Sequence, residues 1–576
     1  MRKKQMKNNR ILLICILILI AMCFMLSAVG CETTVDKEKM SAVTLTGAKL
    51  AWEEIEGASE YYVNIMFNEN SGYEIVVKDT KYVINHAAPG NYYYKVRAKV
   101  NGAFTTYSDT FVYKLGDGSR ENPITVGSVE ELSRISTGLR TIKDENNQDI
   151  AVPVYYVQTN DVDLESKEWT PIGISNNIFK GVFDGGGFNI NNLKITKVAG
   201  TGTNVAAGLF GLVQDAVIKN VNIVDPDISI TYATTQFSVG ALVGRSTTSV
   251  IKNCSVNGDL TINAPSTGEN ILYAGLVIGE SRGTGMSGLS SSGTLRATYA
   301  RVYAGGIVGI TKTSSADILN NCSSIADIIT HATGRTGDAI KAVSYAGGIA
   351  GYLSYANAVE YCYYSGNLTA TAINGTEVSD INKGMFGGAQ NTSLRSNILL
   401  KDCYFNIDKL GIEYDETDKT PAQITQMYSD IAQLYTVGNC TKLKSGSSVY
   451  CITSQNEGLQ ETYANFDFNN IWEIVEEMPA LKTRVLSIIP PMSAVTLVDN
   501  IISWDAVSGA SEYYILNVAT GAKTTVYNLN YTITASEPGV YEYKIGAKTI
   551  GELTEYSEII TFTIPEPEEE DEESEE

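Results

Sequence analysis

Histidine is nearly missing from this chain. Only His86 and His331 occur among 576 residues, and they stand in different segments. No pair of imidazoles sits at helical spacing with a glutamate base, so the HExxH arrangement of a zinc peptidase is excluded. A Ser-His-Asp triad would have to use His331, which lies in the polar stretch Thr330-His-Ala-Thr-Gly334 with no G-x-S-x-G nearby. Positive charge is also short: 43 Lys and Arg against 65 Asp and Glu give a net charge of −22. A nucleic-acid ligand needs a phosphate-neutralising patch, so that class of partner is excluded. The acidity favours solubility and says nothing about fold. Long helical periodicities are scarce, which argues against an α-helical protein. Proline is low at 13 beside 51 glycines, a balance that is neither collagen-like nor low-complexity.

What is present points to strands. The 34 tyrosines favour β-structure. The length exceeds one ordinary domain and buries sizeable cores. One phrase recurs six times between residues 208 and 405. Each copy opens on a glycine-bracketed apolar run, as in Gly208-Leu-Phe-Gly211, Gly240-Ala-Leu-Val-Gly244 and Gly306-Ile-Val-Gly309. A short strand-like run follows, ending in turn at Val221, Cys254, Leu289, Cys322, Cys362 and Cys403. Their spacings are 33, 35, 33, 40 and 41 residues, the range of solenoids, propellers and arrays.

The chain begins with a targeting segment at 1–30. Arg2, Lys3, Lys4, Lys7 and Arg10 precede an apolar run over 11–26, then Ala28-Val-Gly-Cys31. Its removal leaves −22 − 5 = −27. The Ala28–Cys31 stretch resembles the bacterial lipobox, which implies cleavage before Cys31 and its lipidation. An uncleaved membrane anchor is the other reading, because 11–28 could just span a bilayer. Both place the remainder outside the cytoplasm. Residues 31–39 read as a polar tether.

Residues 40–115 and 492–565 are two copies of one module. Met40-Ser-Ala-Val-Thr-Leu45 returns as Met492-Ser-Ala-Val-Thr-Leu497, and Gly57-Ala-Ser-Glu-Tyr-Tyr62 as Gly509-Ala-Ser-Glu-Tyr-Tyr514. Short alternating runs separated by turn residues predict a β-sandwich, with no cysteine pair to staple it. The module resembles fibronectin type III through Trp52 and Trp504 and the Tyr92-x-Tyr94-x-Val96 strand. That family implies a spacer or binding role.

The stretch 116–488 lies between them. Ser128 and Glu131 form a capping box that predicts a short helix through about Ile135. Trp169-Thr-Pro-Ile-Gly173 and Phe179-Lys-Gly-Val-Phe-Asp-Gly-Gly-Gly-Phe188 open it, and Phe466-Asp-Phe468, Trp472-Glu-Ile474 and Met478-Pro-Ala-Leu481 close it. With the repeats between, this is similar to the GLUG-repeat family. The resemblance implies a right-handed parallel β-helix on secreted or surface proteins. The fold expected is therefore all-β, a right-handed parallel β-helix with a β-sandwich module on each side, and an acidic tail at 566–576 disordered by composition.

Stacked coils turn the repeat into columns. Val221 and its equivalents should face inward, and so should Ile223, Val256, Ser291, Ser324, Tyr364 and Phe405. Asn222, Ser255, Ser290, Ser323, Tyr363 and Tyr404 should then face outward. A bend is required at Asn220, Asn253, Gly288 and Asn321, types that tolerate left-handed backbone; Tyr361 and Asp402 break that series. Segments 281–292 and 334–337 read as loops leaving the coils, and 410–460 as less regular.

Candidate chemistry is sparse. Cys254, Cys322, Cys362 and Cys403 are either metal ligands, a disulfide set, or core residues; their spacing is the coil period, which favours the core. Cys440 and Cys451 lie off this ladder in an oxidising compartment and are a candidate disulfide. Asp161, Asp163, Asp184, Asp225 and Asp227 are the acids a polysaccharide-active β-helix would need in pairs or around calcium. Asp184 reads as a turn residue, and Asp161 and Asp163 as strand-edge residues. Tyr363 and Tyr404, with Tyr361 near by, are either an exposed platform for sugar rings or a protein surface, or are covered by a loop or by the chain beyond 410. No cofactor and no metal is implied. The expected function is non-catalytic: a cell-surface lipoprotein held to the membrane by its lipid, binding a glycan or a host or matrix protein. A lyase or glycosidase and a passive spacer are the alternatives.

Overall fold

The computed structural model describes residue 40 and residues 42–67, 72–120, 122–143, 147–174, 176–199, 205–231, 236–264, 270–312, 318–333, 342–354, 358–372, 380–390, 398–412, 414–438, 443–482, 495–505, 510–520, 522–526, 528–549, 552–553 and 557–565. The signal segment with Cys31, the tether, Cys440, the 334–337 stretch and the acidic tail lie outside the described residues. The chain divides into two compact units, Met1–Asp117 and Gly118–Glu576.

The first unit is a two-sheet sandwich. Strands Thr44–Thr46, Lys49–Ala51 and Lys81–Val83 form one antiparallel sheet. Ala58–Phe67 and Gly90–Val100 form the centre of the other. Leu50 and Trp52 pack against Val63, Tyr94 and Val96 between the sheets. Residues 495–565 repeat this strand order, with Trp504 and Ile502 against Ile515 and Ile545. In both modules a tyrosine hydroxyl donates to the carbonyl four residues back, Tyr92 to Ala88 at 2.8 Å and Tyr541 to Glu537 at 2.9 Å. Such tyrosine corners pin the crossover between sheets of a sandwich.

The rest of the second unit is a parallel β-helix whose coils visit five faces. One coil runs Val217–Lys219 on the first face, Asn222–Val224 on the second, Asp227–Ile230 on the third, Phe237–Val239 on the fourth and Val243–Thr247 on the fifth. Val250–Lys252 then returns to the first face, directly beside Val217–Lys219. The first two faces have nine strands each and the other three have six each. On the first face Phe183, Ile218, Ile251, Met286, Leu319, Val359 and Leu400 stack in register and are buried. The column from Val221 to Cys403 is buried as well, as is the column from Ile223 to Phe405.

The bend between the first two faces has a uniform conformation. Asn220, Asn253, Gly288, Asn321, Tyr361 and Asp402 all have φ between 49° and 62°. Tyr361 and Asp402 thus interrupt the asparagine series in residue type and keep its backbone. Register explains this, because each N–H at the bend is bonded to the next coil; Tyr361 donates to Lys401 O at 2.8 Å. The left-handed turn is enforced by stacking, and side chains other than asparagine carry its strain.

Two expectations are corrected here. The 281–292 stretch does not leave the coil; it belongs to strands Ile278–Arg282, Gly285–Ser287 and Ser290–Ser292. Its hydroxyls are satisfied between coils, with Ser291 donating to Ser324 at 2.9 Å and Ser246 paired with Thr284 at 2.8 Å. Cross-strand hydroxyl pairs thus replace aliphatic contacts. The 410–460 region contains a helix, Pro421–Tyr435. Thr420 accepts from Gln423 N–H at 3.3 Å while the Gln423 side chain accepts from Thr420 N–H at 2.8 Å. The chain just after this helix closes the last coil, with Phe386 N–H donating to Thr436 O at 2.9 Å. An open strand edge is a template for aggregation, and this cap removes one.

Candidate ligand-binding cleft

The sequence-derived candidates resolve into structural roles. Tyr363 and Tyr404 do point away from the coil interior, but they are 0% and 3% exposed. Tyr463, Phe466 and Trp472 lie over them, and Tyr361 packs at the edge of the same cluster. Trp472 Nε1 donates to Asn321 Oδ1 at 3.2 Å, Tyr363 hydroxyl bonds to Glu457, and Asn406 Nδ2 donates to Glu457 at 2.8 Å. Burial and the Glu457 carboxylate push the Tyr363 phenol well above its usual range. Of the two readings of these tyrosines, the exposed platform is ruled out and coverage by the chain beyond 410 is what the structure has: the closing motif forms the cover.

The four ladder cysteines are free buried thiols. Burial raises Cys254 to about 12 and Cys362 well above the ordinary thiol value, which suits apolar filler and not a thiolate ligand. Cys451 is a free thiol whose Sγ donates to Tyr428 O at 3.3 Å. His86 stacks on Tyr92 with ring centres 3.7 Å apart. His331 sits in the third-face strand Asp327–Ala332 and not in a loop, its Nδ1 2.8 Å from Thr371 Oγ1.

The aspartates are engaged in the fold. Asp161 accepts from Asn189 N–H at 2.8 Å. Hydrogen bonds from the Asn192 amide and the Glu165 N–H hold the Asp163 carboxyl below its usual range. Asp184 accepts from Asn220 at 2.9 Å and pairs with Lys219 at 3.2 Å. Asp225 occupies a bend with φ 50°, and Asp227 pairs with Lys194 at 3.3 Å. Among the described residues no group of three or more metal-ligating side chains comes together.

A second aromatic row escaped the sequence reading. Between the fourth and fifth faces the glycine-bracketed phrase makes a re-entrant turn. A Cβ on Gly275 would lie 2.0 Å from Ile278 O, and one on Gly279 would lie 2.5 Å from Val239 N, so both positions require glycine. The outer rows of the two faces are thereby brought together. Tyr273, Tyr303 and Tyr345 stack in register on the fourth face, and Tyr352 of the fifth packs on Tyr303 with ring centres 5.1 Å apart. Beside them Glu280 is fully buried, accepting from Arg245 at 2.7 Å, Arg282 at 2.7 Å, Lys312 at 3.1 Å and Ser238 at 3.0 Å. Burial alone would raise this carboxyl; the three cations overcome it and hold it at about 2. The signal was legible: Tyr-Ala-Gly occurs at 273–275, 303–305 and 345–347.

The cleft lies at the opposite end from the helix cap. Residues 164–179 replace three faces of the first coil with an irregular segment whose backbone bonds to the next coil. Trp169 N–H donates to Lys194 O at 2.8 Å and Ile172 N–H to Leu209 O at 2.9 Å. Between this segment and the four-residue helix Val129–Leu132 is a space of about 420 Å³. Ser128 caps that helix as expected, accepting from Glu131 N–H at 3.3 Å. The floor is apolar, made by buried Ile135, Leu164, Trp169, Pro171 and Ile172. The indole is fixed by a 3.1 Å hydrogen bond from Nε1 to Leu209 O. The rim is polar and exposed: Ser133, Ser136, Lys167, Glu168, Thr170 and Asn177. Lys167 pairs with Glu165, and Glu168 accepts from both the N–H and the hydroxyl of Thr196, at 2.9 and 2.8 Å. Small-molecule sites have this size and this division into apolar floor and polar rim.

Residues 235–263 match the GLUG motif. The chain carries a GLUG repeat in a parallel β-helix. Over 151 residues it is 28% identical to a "Putative Gly-rich membrane protein" of Evansella cellulosilytica, covering 26% of this chain and 16% of that one. The chain thus spans less than a fifth of the length of this relative. Among solved structures, similarity extends to a "putative immunoglobulin A1 protease" from Bacteroides ovatus, at 16% identity and TM-score 0.42 over 64% of this chain and 95% of that one. A pectate lyase PelI from Erwinia chrysanthemi, solved with tetragalacturonic acid, aligns at 11% identity and TM-score 0.12 over 62% and 98%. Among the described residues no helix is long and apolar enough to cross a membrane.

Proposed function

We propose that this chain is a non-catalytic cell-surface lipoprotein, held to the membrane through lipidated Cys31 and used for adhesion or for binding a glycan or protein ligand. The observation that carries this reading is the cleft. It has the size and lining of a binding site, and Glu168, the one carboxylate among the described residues that line it, has both oxygens engaged by Thr196. Glycoside hydrolysis needs two carboxyl groups across the scissile bond, and a calcium-dependent lyase needs an oxygen-ligand cluster. The GLUG match and the membrane-protein name of the relative support a place at the surface.

The test uses the mature chain immobilised through its N-terminal end. It is exposed to a glycan array and a panel of matrix proteins, and separately incubated with acidic and neutral polysaccharides. Saturable binding without new reducing ends or unsaturated products is expected. Turnover of any polysaccharide overturns the reading in favour of an enzyme, and neither binding nor turnover identifies a spacer. Mass spectrometry of the membrane-fraction protein should find a chain that begins at a lipidated Cys31; an unprocessed chain retaining 1–30 identifies an uncleaved anchor.

A further inference from the structure

We infer that the cleft takes the terminal residue of a neutral glycan, a statement that rests on the binding function proposed above and names its ligand class. A pyranose has an apolar face and an equatorial belt of hydroxyls. The cleft presents the complement, an apolar floor around Trp169 and Ile172 with short hydroxyl and amide side chains above it. Trp169 is 8% exposed, so it offers only a strip of its indole, and the contact suits a single ring pressed into the floor. The Nε1 bond to Leu209 keeps that strip in place, so the indole itself loses little freedom at binding.

Charge selects the neutral class. Lys167 is the one cation among the described residues lining the cleft, and it is paired with Glu165 and followed in the chain by Glu168. A uronate or sulfate would bring its charge beside these two carboxylates on a chain of net charge −22. Thr170, Asn177 and Ser136 are exposed donors and acceptors without net charge; the first two stand on the irregular segment and Ser136 follows the short helix, and all three line the same space. A volume of about 420 Å³ lies toward the small end of ligand sites, which favours a chain end over a long run of sugar residues.

The experiment is titration calorimetry on the mature chain with lactose, cellobiose, maltose and digalacturonate. At least one neutral disaccharide should bind, and digalacturonate should not. Asn177→Ala and Thr170→Ala should each weaken that binding about threefold to tenfold, the loss of one hydrogen bond. Ser136→Trp, at an exposed position, should fill the cleft and abolish binding while the melting temperature and circular dichroism stay unchanged. Binding that survives Ser136→Trp in a folded protein places the site elsewhere and overturns this inference without touching the proposed binding function. Preference for digalacturonate overturns the neutral class. Absence of binding to every sugar at millimolar concentration overturns the glycan assignment, and capture of a matrix protein in the separate panel then shows the binding function intact.

Discussion

Two rows of tyrosines stand on the outside of successive coils of one stack and are buried by opposite means. On the second face, Tyr363 and Tyr404 are covered by Tyr463, Phe466 and Trp472, which belong to the closing segment of the domain. On the fourth face, Tyr273, Tyr303 and Tyr345 are covered by the fifth face of the coils themselves, through the glycine turn. The first cover is almost wholly apolar, with Glu457 at its edge; the second is interrupted by a buried carboxylate with three cations. A cover made by a distant segment can be lost without unwinding any coil. A cover made by the coil's own turn cannot, because the residues that form it also carry the repeat.

The difference can be broken experimentally. The largest effect is expected from Trp472→Ala, which leaves a cavity over Tyr363 and should cost about 3–5 kcal/mol in urea unfolding. Dye binding to the newly exposed tyrosines should rise while the parallel-sheet signal persists; loss of the whole fold in one step would show that the cover is not separable. Next, Glu280→Gln keeps the shape of the carboxylate and removes its charge from among Arg245, Arg282 and Lys312. A cost of about 1.5–3 kcal/mol is expected, with a single cooperative transition, since no separate cover exists at that corner.

A third effect depends on pH. The folded Glu280 carboxyl lies near 2, below its ordinary value of 4.5. Its contribution is therefore fully present above the unfolded value and is lost as pH falls from about 4.5 through about 2. Urea midpoints of the native chain and Glu280→Gln should converge over that window, and parallel curves would refute the assignment. The smallest effect concerns the bend between the first two faces, which the coils repeat. Asn253→Ala should cost about 1 kcal/mol and Asn253→Gly only a few tenths, because only the alanine is strained at φ 51°.

The interior columns were legible because parallel stacking repeats one constraint per coil. Val221 through Cys403 fall in register, and the bend was marked by Asn220, Asn253, Gly288 and Asn321. Outer rows are legible only in direction. Nothing local to Tyr363 announces that Trp472 will lie over it, since that contact spans the remainder of the domain. The Tyr-Ala-Gly triplets were visible, but their meaning required the re-entrant turn that two backbone approaches impose on Gly275 and Gly279. Serine-rich 281–292 misled because composition resembles a loop when hydroxyls pair with one another across coils. The helix Pro421–Tyr435 had a local signal in Thr420, Pro421 and Gln423, a second capping box like that of Ser128. The cleft had none, since its floor and rim come from segments on both sides of the first coil.

The uneven repeat length has its own consequence. The link from first to second face is almost constant, 219 to 222, 252 to 255, 287 to 290, 320 to 323 and 360 to 363. The link from fourth to fifth is nearly so, as in 275 to 278, 305 to 308 and 347 to 350. The variation lies between third and fourth faces, 299 to 301 in one coil and 332 to 343 in the next, and between fifth and first, 282 to 285 against 390 to 399. The second-to-third link is also short, 224 to 227, 257 to 260 and 324 to 327, so the coil has three joints of nearly fixed length and two that are elastic in length. Foreign peptides spliced at the elastic joints should ride outside an undisturbed stack, which makes this domain a natural rack for displaying sequence without redesigning what holds it up.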